Sequence, residues 1–184
     1  DQNNKKLLEN TIKLENYKSV YNKNIELYGV NNISRLFLMG KGTNKSFTLD
    51  KLRALASNLI RKYQSYNINS MTIDCKSFNL DIKENSQAFS EGLILGYYKF
   101  LNYKTKNKDI SNIENIQFLG KCNKSFLEKG KIIGAAVNLS RDMGNHPPNI
   151  MTPEFMANQA VSIAKSKNMK SEIIDIKEFE KIGF

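Results

Sequence analysis

Two adjacent prolines, Pro147 and Pro148, constrain the fold of this chain more strongly than any other feature of its sequence. Proline has no backbone N–H, and its ring clashes with the preceding helical turn. The residue before a proline is also restricted to extended backbone. The helix that carries Arg141 and Asp142 is therefore predicted to end before these prolines, because neither of them fits inside it.

A second helix is predicted soon after the prolines. Thr152 is a suitable cap, Pro153 has the preset φ angle favoured at the first helical position, and Glu154 suits the positive end of the helix dipole. A helix end, a stiff link through Asn149 and a new helix start are together typical of a boundary between two folded units. The predicted interdomain hinge consists of Arg141, Asp142, Pro147, Pro148, Asn149 and Pro153.

The hydrophobic pattern predicts strands and helices on both sides of the hinge, which is typical of an α/β fold. Strands are predicted at residues 25–28, 35–39, 70–74, 115–119 and 171–175, and helices at residues 48–66, 86–101, 124–143, 153–167 and 177–182. Gly92 and Gly96 share one helical face, which predicts close packing of that helix against a neighbour. We expect an N-terminal non-catalytic α/β domain at residues 1–140, with a mixed sheet flanked by helices. Residues 141–184 are then the hinge and the first helix, strand and helix of a truncated second α/β domain.

The net charge of +10 raises the possibility of nucleic-acid binding. The excess is spread evenly, because residues 1–92 hold 14 basic and 9 acidic side chains and residues 93–184 hold the same numbers. Scattered surface charge is the ordinary case, so we favour a solvated surface. The densest cluster, with tyrosines interleaved, remains the candidate nucleic-acid contact: Lys99, Lys104, Lys106 and Lys108.

No pattern in the sequence predicts a catalytic or metal-binding site. The glycines at positions 40 and 42 lack the Lys-Ser/Thr ending of a phosphate loop, and His146 has no Cys or acidic pair at ligand spacing. Cys75 and Cys122 are far apart in the sequence and are expected to be reduced, free thiols rather than a disulfide or metal pair. The sequence contains no signal-peptide core and no apolar run near the roughly 20 residues of a membrane span, so a cytoplasmic location is expected.

A family resemblance is carried by the hinge. Residues 138–155, Asn-Leu-Ser-Arg-Asp-Met-Gly-Asn-His-Pro-Pro-Asn-Ile-Met-Thr-Pro-Glu-Phe, resemble the segment Ala-Arg-Asp-Leu-x-Asn-x-Pro-Pro-Asn-x-x-Thr-Pro of the leucyl aminopeptidases, the cytosol aminopeptidase family of metallopeptidases. Residues 90–100 are similar to the family's helix Glu-Gly-x-x-Leu-x-x-Tyr-x-Phe, and residues 36–41 resemble its Val-Gly-Leu-Gly-Lys strand and turn. The resemblance covers most of the chain beyond its first thirty residues.

The resemblance implies a two-domain enzyme that assembles as a homo-hexamer. The N-terminal domain would be macro-domain-like and without catalytic residues, and the C-terminal domain would bind two divalent cations (zinc, manganese or magnesium) and cleave N-terminal residues from peptides. The family's metal motifs, Val-Gly-Lys-Gly-x-x-Phe-Asp-x-Gly-Gly and Asn-Thr-Asp-Ala-Glu-Gly-Arg, do not occur in this sequence. No catalytic or metal-ligating residue is therefore carried over.

The expected function follows from this resemblance. The chain would be the N-terminal fragment of a metal-dependent leucyl aminopeptidase, architectural and itself inactive, with the remainder of the catalytic domain as its partner. A nucleic-acid-binding module is the alternative function. Macro domains can also hold ADP-ribose, but this sequence has no convincing glycine-rich loop for such a ligand.

Overall fold

The computed structural model describes residues 2–14, 16–30, 33–66, 68–105 and 113–183. By contacts the chain divides into two compact units, Asp1–Val137 and Asn138–Phe184. The described helices and strands are, in chain order, α1 (Gln2–Leu14), β1 (Asn24–Val30), β2 (Ile33–Met39), α2 (Leu49–Gln64), β3 (Ser70–Asp74), α3 (Lys83–Tyr97), β4 (Asn115–Leu119), α4 (Lys124–Asn145), α5 (Pro153–Ser166) and α6 (Ile176–Lys181).

Two details of the predicted fold are wrong. The described strands form two separate two-stranded sheets rather than one mixed sheet. Residues 171–175, predicted as a strand, carry no strand. A strand depends on hydrogen bonds to a neighbouring strand, and no described strand pairs with this segment. The second unit therefore contains α5 and α6 without the expected strand between them.

The two strands of each sheet are connected differently: a short connection joins β1 to β2, whereas α3 lies between β3 and β4. Strands β1 and β2 are antiparallel, with Asn24 opposite Met39 at one end. Strands β3 and β4 are parallel, with Asp74 opposite Leu119 at their carboxyl ends. A parallel pair requires a crossover connection, and α3 lies in it. The carboxyl ends of β3 and β4 consequently meet at one edge of their sheet.

The core lies where α2 and α3 pack together in the first unit. A Cβ atom built on Gly92 would lie 2.2 Å from the carbonyl oxygen of Arg53, and one on Gly96 would lie 2.5 Å from that of Ser57. These distances confirm the close packing that the glycine spacing predicts. Around this contact the buried core comprises Leu52, Ala56, Leu59, Ile60, Tyr63, Met71, Ile73, Cys75, Leu80, Ala88, Phe89 and Leu93.

Candidate functional site

The predicted hinge has the local geometry that its residue types favour. Helix α4 ends at Asn145, before the prolines, and the backbone N–H groups of Ile150 and Met151 donate hydrogen bonds to the Pro147 carbonyl at 2.9 and 3.0 Å. Thr152 then caps α5, accepting a hydrogen bond from the Phe155 N–H at 3.2 Å. Pro153 is the first residue of α5, as predicted. These contacts explain the helix end and the helix start, and the role of the segment as a hinge stays a prediction.

Arg141 and Asp142 make short-range contacts within the second unit. Arg141 Nη1 donates to Asn138 Oδ1 at 3.3 Å, and the carbonyl oxygen of Asp142 accepts from the His146 N–H at 3.2 Å. The His146 ring meets the Phe155 ring edge-on, with centroids 5.9 Å apart. These contacts join the end of α4 to the start of α5, a packing role that neither needs nor suggests chemistry at His146.

The candidate nucleic-acid cluster lies only partly within the described residues. Lys99 and Lys104 follow α3 and are exposed. Lys106 and Lys108 lie outside the described residues. The described half of the cluster offers no observation that favours nucleic-acid binding over an ordinary solvated surface.

A charged network that sequence reasoning missed surrounds Glu26 on β1. Its carboxylate accepts hydrogen bonds from Tyr66 at 2.6 Å and Tyr28 at 2.9 Å, and its Oε1 lies 2.8 Å from Lys62 Nζ. Arg35 stacks over the Tyr66 ring, with Cζ 4.1 Å from the ring centroid, and its Nη1 lies 3.9 Å from Glu26 Oε2. The network ties the β1–β2 sheet to α2, because Lys62 belongs to that helix.

The electrostatics of this network favour a charged Glu26. Burial of the carboxylate, whose side chain is 15% exposed, opposes ionisation. The hydrogen bonds from Lys62, Tyr66 and Tyr28 outweigh that burial and lower the pKa of Glu26 to about 2. A carboxylate held this firmly in its ionised form is a poor general acid or base near neutral pH. The network therefore has the properties of a structural ion pair.

A second ion pair joins α2 to α3. Arg53 Nε lies 2.7 Å from Glu91 Oε2, and Gln87 Nε2 donates to Glu91 Oε1 at 2.8 Å. Glu91 is buried beside Gly92, where the two helix backbones approach most closely. Both oxygens of the buried carboxylate are thus satisfied, which favours a packing role over catalysis.

One described cavity is open to solvent and has a volume of about 450 Å³. Lys41 is its one charged side chain, with Nζ 6.0 Å from the Phe47 ring centroid. No acid, histidine or cysteine lines it. Its lining consists of Lys41, Asn44, Phe47, Thr48, Leu49, Leu52, Asn79 and Asn85.

Metal-ligating side chains do not cluster in the described part of the chain. No group of three or more His, Cys, Asp or Glu side chains there could hold a metal ion. The described side chains therefore do not fit the two divalent cations that the resemblance implies, and no metal-dependent step is assigned to them. Among the same residues, no helix is long and apolar enough to cross a membrane.

Cys75 and Cys122 are adjacent in the fold although they are distant in the sequence. Cys122 packs against the core that contains Cys75, and its thiol lies close enough to contribute to the raised pKa of the Cys75 thiol. Neither cysteine is in a disulfide in the described structure, and their reduced state stays a prediction. A signal for the contact was present: each cysteine follows a predicted strand, and parallel strands in an α/β fold bring their carboxyl ends to one edge.

Several large apolar side chains are exposed in each unit. In the first unit α4 presents Ile132, which is 68% exposed, together with Ile133 and Val137. The buried residues of α4 are instead Gly130 and Gly134, which pack against α3. In the second unit the exposed large apolar residues between 170 and 183 are Ile173, Ile174, Ile176, Phe179 and Ile182.

The N-terminal domain model of the cytosol aminopeptidase family matches residues 1–107. This match covers more than half of the chain, and the chain belongs to the cytosol aminopeptidase family. A probable cytosol aminopeptidase of Sulfurihydrogenibium sp. is 33% identical over 94% of this chain and 36% of its own length. One of Persephonella marina is 32% identical over 86% of this chain and 33% of its own length. The chain thus spans about a third of the length of these curated relatives.

Solved structures share the fold at lower identity. A mutant of tomato leucine aminopeptidase aligns with a TM-score of 0.80 at 19% identity, over 96% of this chain and 36% of that one. The bottromycin maturation enzyme BotP, in complex with Mn, aligns with a TM-score of 0.79 at 16% identity, over 94% of this chain and 37% of that one. The α/β arrangement of helices around small sheets is therefore one that these enzymes also contain.

Proposed function

We propose that this chain is the N-terminal part of a metal-dependent aminopeptidase and that its own role is architectural. Family membership supports the class of enzyme, and the similar BotP structure, which is a complex with Mn, supports a divalent cation in the complete protein. The relatives are named cytosol aminopeptidases, which supports the expected cytoplasmic location. A macro-domain-like N-terminal domain at residues 1–140, a truncated second domain at residues 141–184 and a homo-hexamer are implied by the family resemblance.

The exposed apolar side chains carry the architectural part of this proposal. Helix α4 exposes Ile132, Ile133 and Val137. Burial of these side chains in a contact would lower the free energy by about 25 cal/mol per Å² of apolar surface removed from water. In the second unit, α6 and the segment before it expose further isoleucines, among them Ile176 at 78%. Several large apolar side chains left exposed within one short segment are typical of a surface that another protein segment covers. The remaining two thirds of an aminopeptidase of the length of the relatives would supply that cover.

The main experiment compares the complete protein with the 184-residue chain. The protein encoded by the whole reading frame should hydrolyse leucine p-nitroanilide in the presence of Mn²⁺ or Zn²⁺, and a chelator should abolish that activity. The purified 184-residue chain should show no turnover with either metal. Turnover by the chain that survives rigorous purification, or an inactive complete protein in every metal tested, would overturn the proposal.

A substitution at Ile132 tests the covered face separately. In the 184-residue chain, Ile132→Lys should change the free energy of unfolding by less than about 0.5 kcal/mol, because the residue is exposed there. In the complete protein the same change should cost more than about 2 kcal/mol, since it would place a lysine in an apolar contact. Equal, small effects in the two proteins would show that α4 is not covered.

A further inference from the structure

The carboxyl-terminal edge of the β3–β4 sheet brings two cysteines together. Strands β3 and β4 are parallel, and their last paired residues are Asp74 and Leu119. Cys75 follows β3 directly, and its N–H donates to the Leu119 carbonyl at 2.9 Å, extending the strand pairing by one residue. Cys122 lies three residues beyond the end of β4. The strand register therefore places the segments that carry Cys75 and Cys122 at the same edge of the sheet.

The two thiols differ in their access to solvent. Cys75 is fully buried, whereas Cys122 is partly exposed. Cys122 packs against the buried cluster to which Cys75 belongs. Burial, with a further contribution from the neighbouring Cys122, raises the pKa of the Cys75 thiol to about 11. Cys122 is thus the thiol that a reagent in solution reaches first, and Cys75 is the buried partner behind it.

Two simpler roles explain this arrangement less well. A buried cysteine often serves only as a small apolar side chain, but that role does not require a second cysteine in contact with it. A zinc site would need about four ligands. The described residues place no third metal-ligating side chain with these two. A disulfide between the two sulfurs, in contrast, needs no side chain other than these two cysteines.

We propose that Cys75 and Cys122 are the site of a reversible disulfide, formed by exchange with a low-molecular-weight disulfide such as oxidised glutathione. The Cys122 thiolate attacks one glutathione sulfur, which forms a mixed disulfide and releases one glutathione thiolate. Cys75 then loses its proton and attacks the Cys122 sulfur, which releases the second glutathione thiolate. The two protein thiols lose two electrons and two protons, and the glutathione disulfide is reduced to two thiols.

The bond would staple the ends of β3 and β4 and close the chain segment from Cys75 to Cys122, which contains α3. Cross-links of this loop length act mainly by restricting the unfolded chain. Oxidation should raise the melting temperature by roughly 5 to 10 °C if the native geometry accepts the bond without distortion. The reduced form described above is the one expected in a cytoplasmic glutathione buffer.

The test uses the purified, reduced 184-residue chain in mixtures of reduced and oxidised glutathione without denaturant. We expect intact-mass spectrometry to show the loss of two hydrogens, and a non-reducing peptide map to link the Cys75 and Cys122 peptides. The melting temperature should rise, and dithiothreitol should reverse every change. A chain that stays a dithiol, that stops at a glutathione adduct, or that forms the link only after denaturation would overturn the proposal.

Two variants separate the roles of the thiols. Cys75→Ala should stop at a single glutathione adduct on Cys122, while Cys122→Ala should resist modification as long as it is folded. The mass and peptide map of the unaltered chain decide the question even if the Cys75 variant does not fold. The test needs no aminopeptidase activity, so its failure is distinct from failure of the proposed function.

Discussion

Replacing Glu26 with glutamine tests whether one partly buried carboxylate ties the β1–β2 sheet to α2. The substitution keeps the shape of the side chain but removes its charge. Lys62 and Arg35 then lose the negative partner that lies 2.8 and 3.9 Å from them, respectively. We expect the variant to fold but to unfold more readily at neutral pH, because two cations are left beside an uncharged amide.

The size of the effect follows from the pKa of Glu26. Its value falls from 4.5 to about 2 on folding, and each unit corresponds to 1.36 kcal/mol, so the upper limit is about 3 kcal/mol. Lys62 is 30% exposed, and solvent screens part of its attraction. We therefore expect Glu26→Gln to lower the free energy of unfolding by about 1–3 kcal/mol at pH 7.

The stabilisation by Glu26 should depend on pH in one direction, weakening as the pH falls. Because the folded pKa lies below the unfolded one, the stabilisation is complete above pH 4.5 and is lost as the pH falls toward 2. The glutamine variant has no such contribution to lose. The stability difference between the parent chain and the variant should therefore be largest at pH 7 and should shrink below pH 4.5.

Urea unfolding followed by circular dichroism at pH 7, 5 and 3, at constant ionic strength, measures this difference. Glu128→Gln is the matched control, since Glu128 is 68% exposed and lies 3.7 Å from Lys131. The control should change the free energy of unfolding by less than about 0.5 kcal/mol at each pH. A difference for Glu26→Gln that is the same at pH 3 and pH 7, or no larger than the control, would refute the reasoning.

Further substitutions test packing, an ion pair and a helix cap in the described elements. Gly92→Ala should cost more than about 2 kcal/mol in urea unfolding, because its Cβ would overlap the Arg53 carbonyl, whereas Gly144→Ala, with nothing within 4 Å, should be neutral or stabilising by up to about 1 kcal/mol. Glu91→Gln should cost about 1–3 kcal/mol because Arg53 loses its buried carboxylate partner and keeps only Asp50, whose side chain is 91% exposed, and a double substitution with Arg53→Met should recover part of that loss. Thr152→Ala removes the cap of α5 and should speed hydrogen exchange of the first α5 amides by roughly fivefold, equivalent to about 1 kcal/mol, without affecting those of α2.

Local chemistry explains which parts of the fold the sequence could predict. Helices α2 and α5 begin within one residue of their predicted starts, because Thr48 and Thr152 are capping residues whose effect depends only on near neighbours. Helix α3 begins three residues before its predicted start. Its cap position is Ile82, which makes no capping hydrogen bond through its side chain, so the sequence carried no start signal there.

Contacts between distant segments explain what the sequence could not predict. The apolar pattern at residues 171–175 satisfies the local requirement for a strand, but strand formation also needs a partner, and no described strand provides one. In the same way, the Glu26–Lys62 and Arg53–Glu91 pairs join residues 36 and 38 positions apart along the chain. A residue pattern places each member on its own element, and only the packing of elements brings the members together.

Helix α4 is a further case in which packing between distant segments decides which residues are buried, and it bears on the proposed function. Its sequence is apolar on more than one face, and a single core can cover only one of them. The core takes the face with Gly130 and Gly134, because only glycines let the α4 backbone approach α3 so closely. Ile132 lies on another face and is left in water, and Ile133 and Val137 are also exposed. Apolar side chains that no described element covers favour the proposed architectural role, in which the remainder of the protein would pack on α4.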